Sequence, residues 1–449
     1  MTFPDDAVPD WRAGVLAGSA ALPGSETLRC GVGSLDGVRT VIVAWDFASH
    51  GGSFGEADAD VFVAATQYAI DHRLPLLTLL RSGGTRLTDG MRALVGIPRT
   101  TLALQRLRAS GLPHLSVADH PTMGGVWVSI GSHADLRFAT TGALVGFSGP
   151  RALTAMTGRA LADGANTAES AYDAGLVDAV LAPSDVARVL GHALTILTTE
   201  DPEPVAMASG ALPAEPDAWE HVVASRSEDR PDGSQLLTAL LGDAISLKAA
   251  DETVAARLGR LAGRRVVGVA LAATRGAMPT PAGFALLARA AALAGALDLA
   301  LVVLVDTPGA DPHTESLGLS GAIADTMTAV LNTAAPSVSL VHGEGGSGGA
   351  LAGAVTDVVG VGPHGWFAAL GPEGAAATLR IAPDVAARLM NLTPADLLRD
   401  GFADGFVPAG LEKAWLATTL DRLREVAPAD RIARRHDRWS AGLPRHLPR

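Results

Sequence analysis

Short apolar runs alternate along the chain with longer stretches whose apolar residues recur every three or four positions. Arg39–Trp45, Leu74–Leu80 and His114–Ala118 are rich in Val, Leu and Ile with no polar alternation. Such runs predict strands buried on both faces. Asp58–His72, Asp89–Ala109 and Val126–His133 carry the helical period. Strands alternating with helices predict an α/β architecture with helices covering the sheet. The longest apolar stretch, Ala290–Val305, is interrupted by Gly295 and Asp298. It reads as a buried helix followed by a buried strand, too broken for a membrane span.

The pattern repeats at long range. Arg81 and Asp306 lie 225 residues apart, Gly125 and Gly349 224, Asp135 and Asp357 222, and Gly149 and Gly371 222. A period this long signals a duplicated domain rather than a solenoid. Between the copies, Thr199–Ser234 is rich in Pro, Ser and acid, and only AWEHVVAS within it has helical character. The expected domains are therefore residues 1–200 and 201–449.

Composition narrows the function. The 449 residues are 48% hydrophobic and carry a net charge of -12. That balance argues against nucleic acid or an anionic membrane as partner. The single cysteine, Cys30, rules out a disulfide framework and a cysteine-ligated zinc ribbon within one chain. No histidine pair has metal-ligand spacing with a third ligand, so no metal is expected. The segment MTFPDDAVPDW lacks the cations and apolar run of a secretory leader, which suggests a cytoplasmic protein. Lys248 and Lys413 are the only lysines; neither lies in a phosphate loop or in a biotin-attachment setting.

Two glycine-rich turns are candidates for chemistry. Thr122-Met123-Gly124-Gly125 and Gly345-Gly346-Ser347-Gly348-Gly349 each follow a buried strand and precede a helix. Glycine lets the backbone approach a ligand, and the first N–H groups of a helix lack intrahelical partners and sit at its positive end. Two such amides can hold an oxyanion, at roughly 3–4 kcal/mol per donor. A lone Gly-Gly is usually only a tight turn; recurrence in both halves points to a ligand. Ser82-Gly83-Gly84-Thr85-Arg86 and Asp306-Thr307-Pro308-Gly309-Ala310 end buried strands, where α/β proteins place ligands. His120 and His342 precede the two turns and are expected to bond backbone groups at the strand ends.

These motifs, in this order, resemble the carboxyltransferase component of bacterial acyl-CoA carboxylases, with a β-like half fused ahead of an α-like half. The β-like stretch carries Asp46-Phe47, Gly51-Gly52-Ser53, Gly83-Gly84-Thr85-Arg86, Gly124-Gly125-Val126 and Gly142 to Arg151. The α-like stretch carries Asp306 to Ala310, Gly343 to Ala350 and Pro372-Glu373-Gly374. The resemblance runs over residues 30–185 and 215–410. It implies two tandem crotonase-like domains and an active site where the β-like half of one chain meets the α-like half of another, hence a homodimer or larger homo-oligomer. Gly124 and Gly125 would hold the enolate oxygen of an acyl-CoA. Gly349 and Ala350 would polarise the ureido carbonyl of biotin, carried by a partner biotin carboxyl carrier protein served by a biotin carboxylase. Gly83, Gly84, Arg86, Pro308, Gly309 and Gly348 would line the substrate site. Valine at 125 or 349 is expected to abolish turnover without unfolding the chain.

The family's Gly-Gly-Ala-Arg-Met-Gln-Glu becomes Gly83-Gly84-Thr85-Arg86-Leu87-Thr88-Asp89, and a basic stretch after Pro-x-Gly becomes Phe284-Ala285-Leu286. Fewer basic residues leave room for an acyl carrier protein substrate, or for a biotin-independent decarboxylase of a malonyl-type thioester. A serine hydrolase is a remote alternative, because Gly345-x-Ser347-x-Gly349 fits the nucleophile-elbow pattern.

Overall fold

The computed structural model describes residues 11–204 and 217–443, so the first ten residues, the middle of the connecting segment and the last six residues lie outside it. The side chains of Trp11, Ala13, Pro150, Arg151 and Ala152 are also outside the description. The chain forms two compact units, Met1–Thr199 and Glu200–Arg449.

In the first unit the strands are β1 (Ala20–Leu22), β2 (Leu28–Leu35), β3 (Val38–Trp45), β4 (Leu76–Ser82), β5 (His114–Met123), β6 (Leu136–Thr140), β7 (Val145–Gly146) and β8 (Ala179–Leu181). They pair in the order β1-β2-β3-β4-β5-β6-β8, with β7 beside the end of β5. The β1–β3 ladders are antiparallel and the rest are parallel. In the second unit β9 (Ile245–Leu247), β10 (Ala255–Leu261), β11 (Arg264–Ala270), β12 (Ala300–Thr307), β13 (Ser337–Gly346), β14 (Val358–Val361), β15 (Trp366–Ala368) and β16 (Gly405–Phe406) follow the same plan. Their order is β9-β10-β11-β12-β13-β14-β16, with β15 beside β13.

The central strands are buried on both faces: every residue of β12 and β13 is buried. Helices Glu56–Asp71 and Met91–Ala109 of the first unit, and Pro281–Ala296 and Leu319–Asn332 of the second, are the crossovers between parallel strands. Packing supplies most of their stability, through apolar residues such as Phe62, Leu104, Leu287 and Val330 turned to the interior.

The duplication extends to individual hydrogen bonds. Asp135 precedes β6 and its Oδ2 accepts the N–H of His114, the first residue of β5, at 3.0 Å. Asp357 precedes β14 and accepts the N–H of Ser337, the first residue of β13, at 2.9 Å. Asp178, before β8, accepts the N–H of Arg137, second in β6, at 2.9 Å, and Asp404, before β16, that of Val359, second in β14, at 2.7 Å. Each aspartate faces an arginine: Arg108 at 2.9 Å, Arg435 at 2.7 Å, Arg137 at 3.8 Å and Arg438 at 2.6 Å. The opening N–H of a parallel strand has no ladder partner of its own, and a carboxylate there satisfies it.

Two elements differ from expectation. Strand β5 continues past Ala118 to Met123, because its last residues pair with β7 (Thr122 with Val145) after a register shift between Leu80 and Ser82. The helix expected over Val126–His133 begins at Gly124 and stops at Ser129, and Gly131–His133 forms a separate turn. Ile130 leaves helical geometry at φ -122°, and Gly131 lies against the Trp127 ring with no room for a side chain.

His114 opens β5 in full burial, with Nε2 3.0 Å from Thr78 Oγ1. Burial, with His133 adding to it, pushes its pKa down to about 3. Below the ordinary value of 6.5 the unfolded chain takes up a proton that the folded chain refuses until about pH 3. This contribution to stability is therefore full above pH 6.5 and lost as pH falls toward 3. The stability advantage of wild type over His114→Gln is expected to shrink by about 2–3 kcal/mol between pH 7 and pH 4.5, measured by urea unfolding.

Candidate active site

In the first unit three glycine loops converge at the C-terminal ends of β3, β4 and β5. Gly83 N–H donates to the Gly51 carbonyl at 2.9 Å, and Phe54 N–H donates to the Gly84 carbonyl at 2.8 Å. Gly84, at φ 112°, has its N–H on Ser82 Oγ at 3.0 Å and lies against Gly124, itself at φ 65°. A Cβ on Gly124 would stand 3.2 Å from the Cα of Gly84. Only glycine fits both demands, positive φ and backbone laid on backbone. Gly124 and Gly125 open helix Gly124–Ser129, half-buried, while Gly83 is exposed at the mouth.

The second unit reproduces this. Gly309, at φ 145°, has its N–H on Thr307 Oγ1 at 3.2 Å, as Gly84 has on Ser82. A side chain on Gly346 would overlap the carbonyl of Pro308. The hydrogen-bonded register revises the expected alignment by one residue. Ser82 opposes Thr122 and Met123 opposes Gly146, whereas Thr307 opposes Gly345 and Gly346 opposes Ala368. Gly125 thus corresponds to Gly348, and Gly124 to Ser347, which holds the same positive φ (61°). Gly349 and Ala350, expected as the amide pair, lie one and two residues further into helix Ser347–Ala354 and are buried. Gly348 is exposed with open space around it.

Valine at Gly349 is not the clean change expected, since its Cβ would lie 2.5 Å from Ala310 N. At Gly125 the Cβ would lie 2.8 Å from Thr85 Oγ1 and 2.9 Å from Ile97 Cδ1.

Arg86, expected to contact substrate, is instead bonded within the fold. Its Nη2 donates to Thr27 Oγ1 at 2.6 Å, to the Ser53 carbonyl at 2.8 Å and to Asp58 Oδ2 at 2.8 Å. The Asp58 carboxylate is 1% exposed, so the pair holds the 51–55 loop to helix Glu56–Asp71. Breaking one partner of a buried pair leaves an uncompensated charge.

Each turn is followed by a cavity. The first is about 420 Å³, lined by Trp127, Val128, Val145, Phe147 and Asn166 among others. The second is about 530 Å³, lined by Ser347, Gly348, Leu351, Phe367, Phe402 and Trp439 among others. The second lies in the size range of small-molecule sites and has mostly apolar walls.

Sequence reasoning missed a charge network, buried at its inner end, behind the second turn. Arg230 binds both oxygens of Asp306, at 2.8 and 3.0 Å, and Asp306 Oδ1 accepts the N–H of Glu344 at 3.0 Å. Arg226 bridges Glu344 and Glu373 at 2.5 Å each. Burial holds the Glu344 carboxyl above its ordinary range, whereas hydrogen bonding to Arg226 holds Glu373 below it. Arg226 and Arg230 fall in the polar connecting segment, where no pattern marks them as inward-facing. The two histidines sit as expected on backbone: His120 Nδ1 accepts the Leu144 N–H at 3.3 Å, and His342 Nε2 lies 3.0 Å from the Pro231 carbonyl. Burial lowers the pKa of both. Among the described residues no hydrogen bond joins Ser347 to a histidine, and no group of three or more His, Cys, Asp or Glu is placed to hold a metal.

The duplicated unit carries an amide-rich turn at the same strand end in each copy. A family model described as acetyl co-enzyme A carboxylase carboxyltransferase-like matches residues 214–427. The biotin-dependent acyl-coenzyme A carboxylase beta3 subunit of Mycobacterium tuberculosis is 35% identical over 466 residues, covering 98% of this chain and 94% of that protein. The acetyl-coenzyme A carboxylase carboxyl transferase subunits beta/alpha of Salinispora tropica are 36% identical over 416 residues, covering 86% of this chain and 73% of that protein. Among solved structures, the transcarboxylase 12S hexamer with methylmalonyl-coenzyme A and methylmalonic acid bound superposes with a TM-score of 0.75 at 22% identity, covering 89% of this chain and 82% of that one. The chain belongs to the acyl-coenzyme A carboxylase carboxyltransferase family, a family of transferases.

Two substitutions separate the roles of these residues. Gly348→Val adds a side chain to open space and is expected to cut turnover at least ten-fold with unchanged thermal unfolding. Arg86→Ala is expected to cost about 3–5 kcal/mol in chemical denaturation.

Proposed function

We propose that the chain transfers a carboxyl group between biotin, held on a partner carrier protein, and the α-carbon of a short acyl-CoA such as acetyl- or propionyl-CoA. The observation that carries this reading is the pair of matched glycine turns in a chain whose relatives are named as biotin-dependent carboxylase subunits.

The amides of Gly124 and Gly125 face the thioester carbonyl in this reading and stabilise the negative charge that grows on its oxygen when the α-carbon becomes nucleophilic. No covalent enzyme intermediate is required, and donors worth about 3–4 kcal/mol each act only as charge develops. In the second unit the opening amides of helix Ser347–Ala354 receive the ureido oxygen. Gly348 supplies the open position and Gly349 and Ala350 the next turn of the backbone. The 530 Å³ cavity beside Gly348, walled by Leu351, Phe367 and Trp439, fits a compact apolar bicyclic ring bearing a urea. Carboxybiotin, when bound, supplies the carboxyl group and afterwards a nitrogen for the α-proton. A biotin carboxylase and a carrier protein are the partners this requires, and the working enzyme is a cytoplasmic homodimer or larger homo-oligomer. No helix among the described residues is long and apolar enough to cross a membrane.

The test is one incubation of purified protein with malonyl-CoA and methylmalonyl-CoA, with and without free biotin. Carboxyl transfer to biotin is the expected outcome, together with a light-scattering mass of at least two chains. Release of CO₂ without biotin would replace the reading by a malonyl-thioester decarboxylase that uses the Gly124–Gly125 amides alone.

A further inference from the structure

We propose that Arg81 is the anion anchor of the first unit, binding a phosphate of the thioester's handle. This rests on reading the first unit as the thioester site. Arg86 is committed to Asp58, Thr27 and Ser53. Lysine is absent from the first unit, since Lys248 and Lys413 both lie beyond it. Any phosphate bound there by a side-chain cation must be met by arginine. Among the described side chains most of the unit's arginines face carboxylates; the unpaired Arg39, Arg73, Arg106 and Arg159 are all exposed, the first three of them away from the C-terminal strand ends.

Arg81 differs from all of these. It is half-buried in the last turnings of β4, beside the exposed Gly83. Its Nε donates to the His120 carbonyl at 2.8 Å, and its guanidinium carbon stands 5.1 Å from the centre of the Phe47 ring. Those two contacts fix the side chain while its two Nη groups make no hydrogen bond or ion pair among the described residues. A guanidinium held by Nε and an aromatic face, with both Nη groups unspent, is pre-organised for two parallel bonds to a phosphate.

The second unit is an internal control. The register equivalent of Arg81 is Asp306, whose carboxylate accepts the Glu344 N–H and is neutralised by Arg230. The register equivalent of Glu344 is Pro121, which has no N–H to offer a carboxylate. The first unit has thus exchanged a self-satisfied anion for an unsatisfied cation at the same strand end. Phosphate of this kind comes from free CoA or from the phosphopantetheine arm of an acyl carrier protein.

The experiment measures equilibrium binding to wild type, Arg81→Gln and Arg81→Lys. The probes are malonyl-CoA, the malonyl thioester of pantetheine, which has no phosphate, and a malonylated acyl carrier protein. Arg81→Gln is expected to weaken the phosphate-bearing ligand about ten- to hundred-fold, the range of a lost charge-assisted bond. Arg81→Lys should recover part of that loss, affinity for the pantetheine thioester should stay constant, and thermal unfolding should not move. Whichever of malonyl-CoA and the carrier protein shows the Arg81 dependence is the source. No loss, or an equal loss for the pantetheine thioester, overturns the proposal, as does failure of wild type to bind either phosphate-bearing ligand. Wild type that binds malonyl-CoA through Arg81 but does not carboxylate biotin leaves this anchor intact and removes the carboxyltransferase reading.

Discussion

Backbone laid directly on backbone is the constraint on which each unit is built. At the end of β5 the chain must turn into a helix while the loop leaving β4 crosses it at contact distance, Gly84 against Gly124. The second unit does the same with Pro308–Gly309 against Gly346. No side chain intervenes, so the polar surface at these strand ends is made of amides and carbonyls. That is why a site built there acts through N–H groups. It is also why the helix after each turn starts so abruptly, with a positive φ at its first residue. Ser347 takes that conformation at a cost glycine avoids, and the surrounding β13–β15 ladder holds it in place.

Much of this was legible in the amino-acid order. The apolar runs located β3, β4 and β5, the 222–225-residue period revealed the duplication, and the glycine clusters marked both turns. What escaped depends on contacts between distant segments. Matching Gly125 to Gly349 was natural, since both are the second glycine of a Gly-Gly pair, yet the ladder assigns Gly125 to Gly348. A one-residue slip cannot be seen without knowing which residues face each other across β12 and β13. Arg86 looked like a ligand contact because arginine in a glycine loop often is one. Its true partner, Asp58, lies 28 residues away on a helix face whose burial the periodicity alone does not disclose.

The two units keep one architecture and divide in electrostatics. Behind the second turn, Arg226 and Arg230 meet Asp306, Glu344 and Glu373 in a charge network, buried at its inner end, that ties the connecting segment to β12, β13 and helix Pro372–Leu379. Its inner part is costly to break, because Arg230, Asp306 or Glu344 left without its partner is a buried charge, whereas Glu373 at the outer end is exposed. Among the described residues the first unit has no network of this size at the same place: Pro121 stands where Glu344 would be, Asp119 on β5 forms an ion pair with Arg12 alone, and other contacts there, such as Ser82 with Gly84 and Thr122 with Leu80, are hydroxyl to backbone. Duplication preserved the frame and released the side chains at the strand ends to take different charges.

The four aspartates at the other end of the sheets complete this division. Asp135 and Asp357 each fasten the first N–H of a neighbouring strand, and Asp178 and Asp404 the second, at the edge furthest from the glycine turns. The alignment of the strands is thereby settled at one rim of each sheet, so the opposite rim need not specify it again. An engineer seeking a different acyl range has a natural partition: the aspartate rim is to be left untouched, while loops at the glycine rim are open to recombination between the two copies.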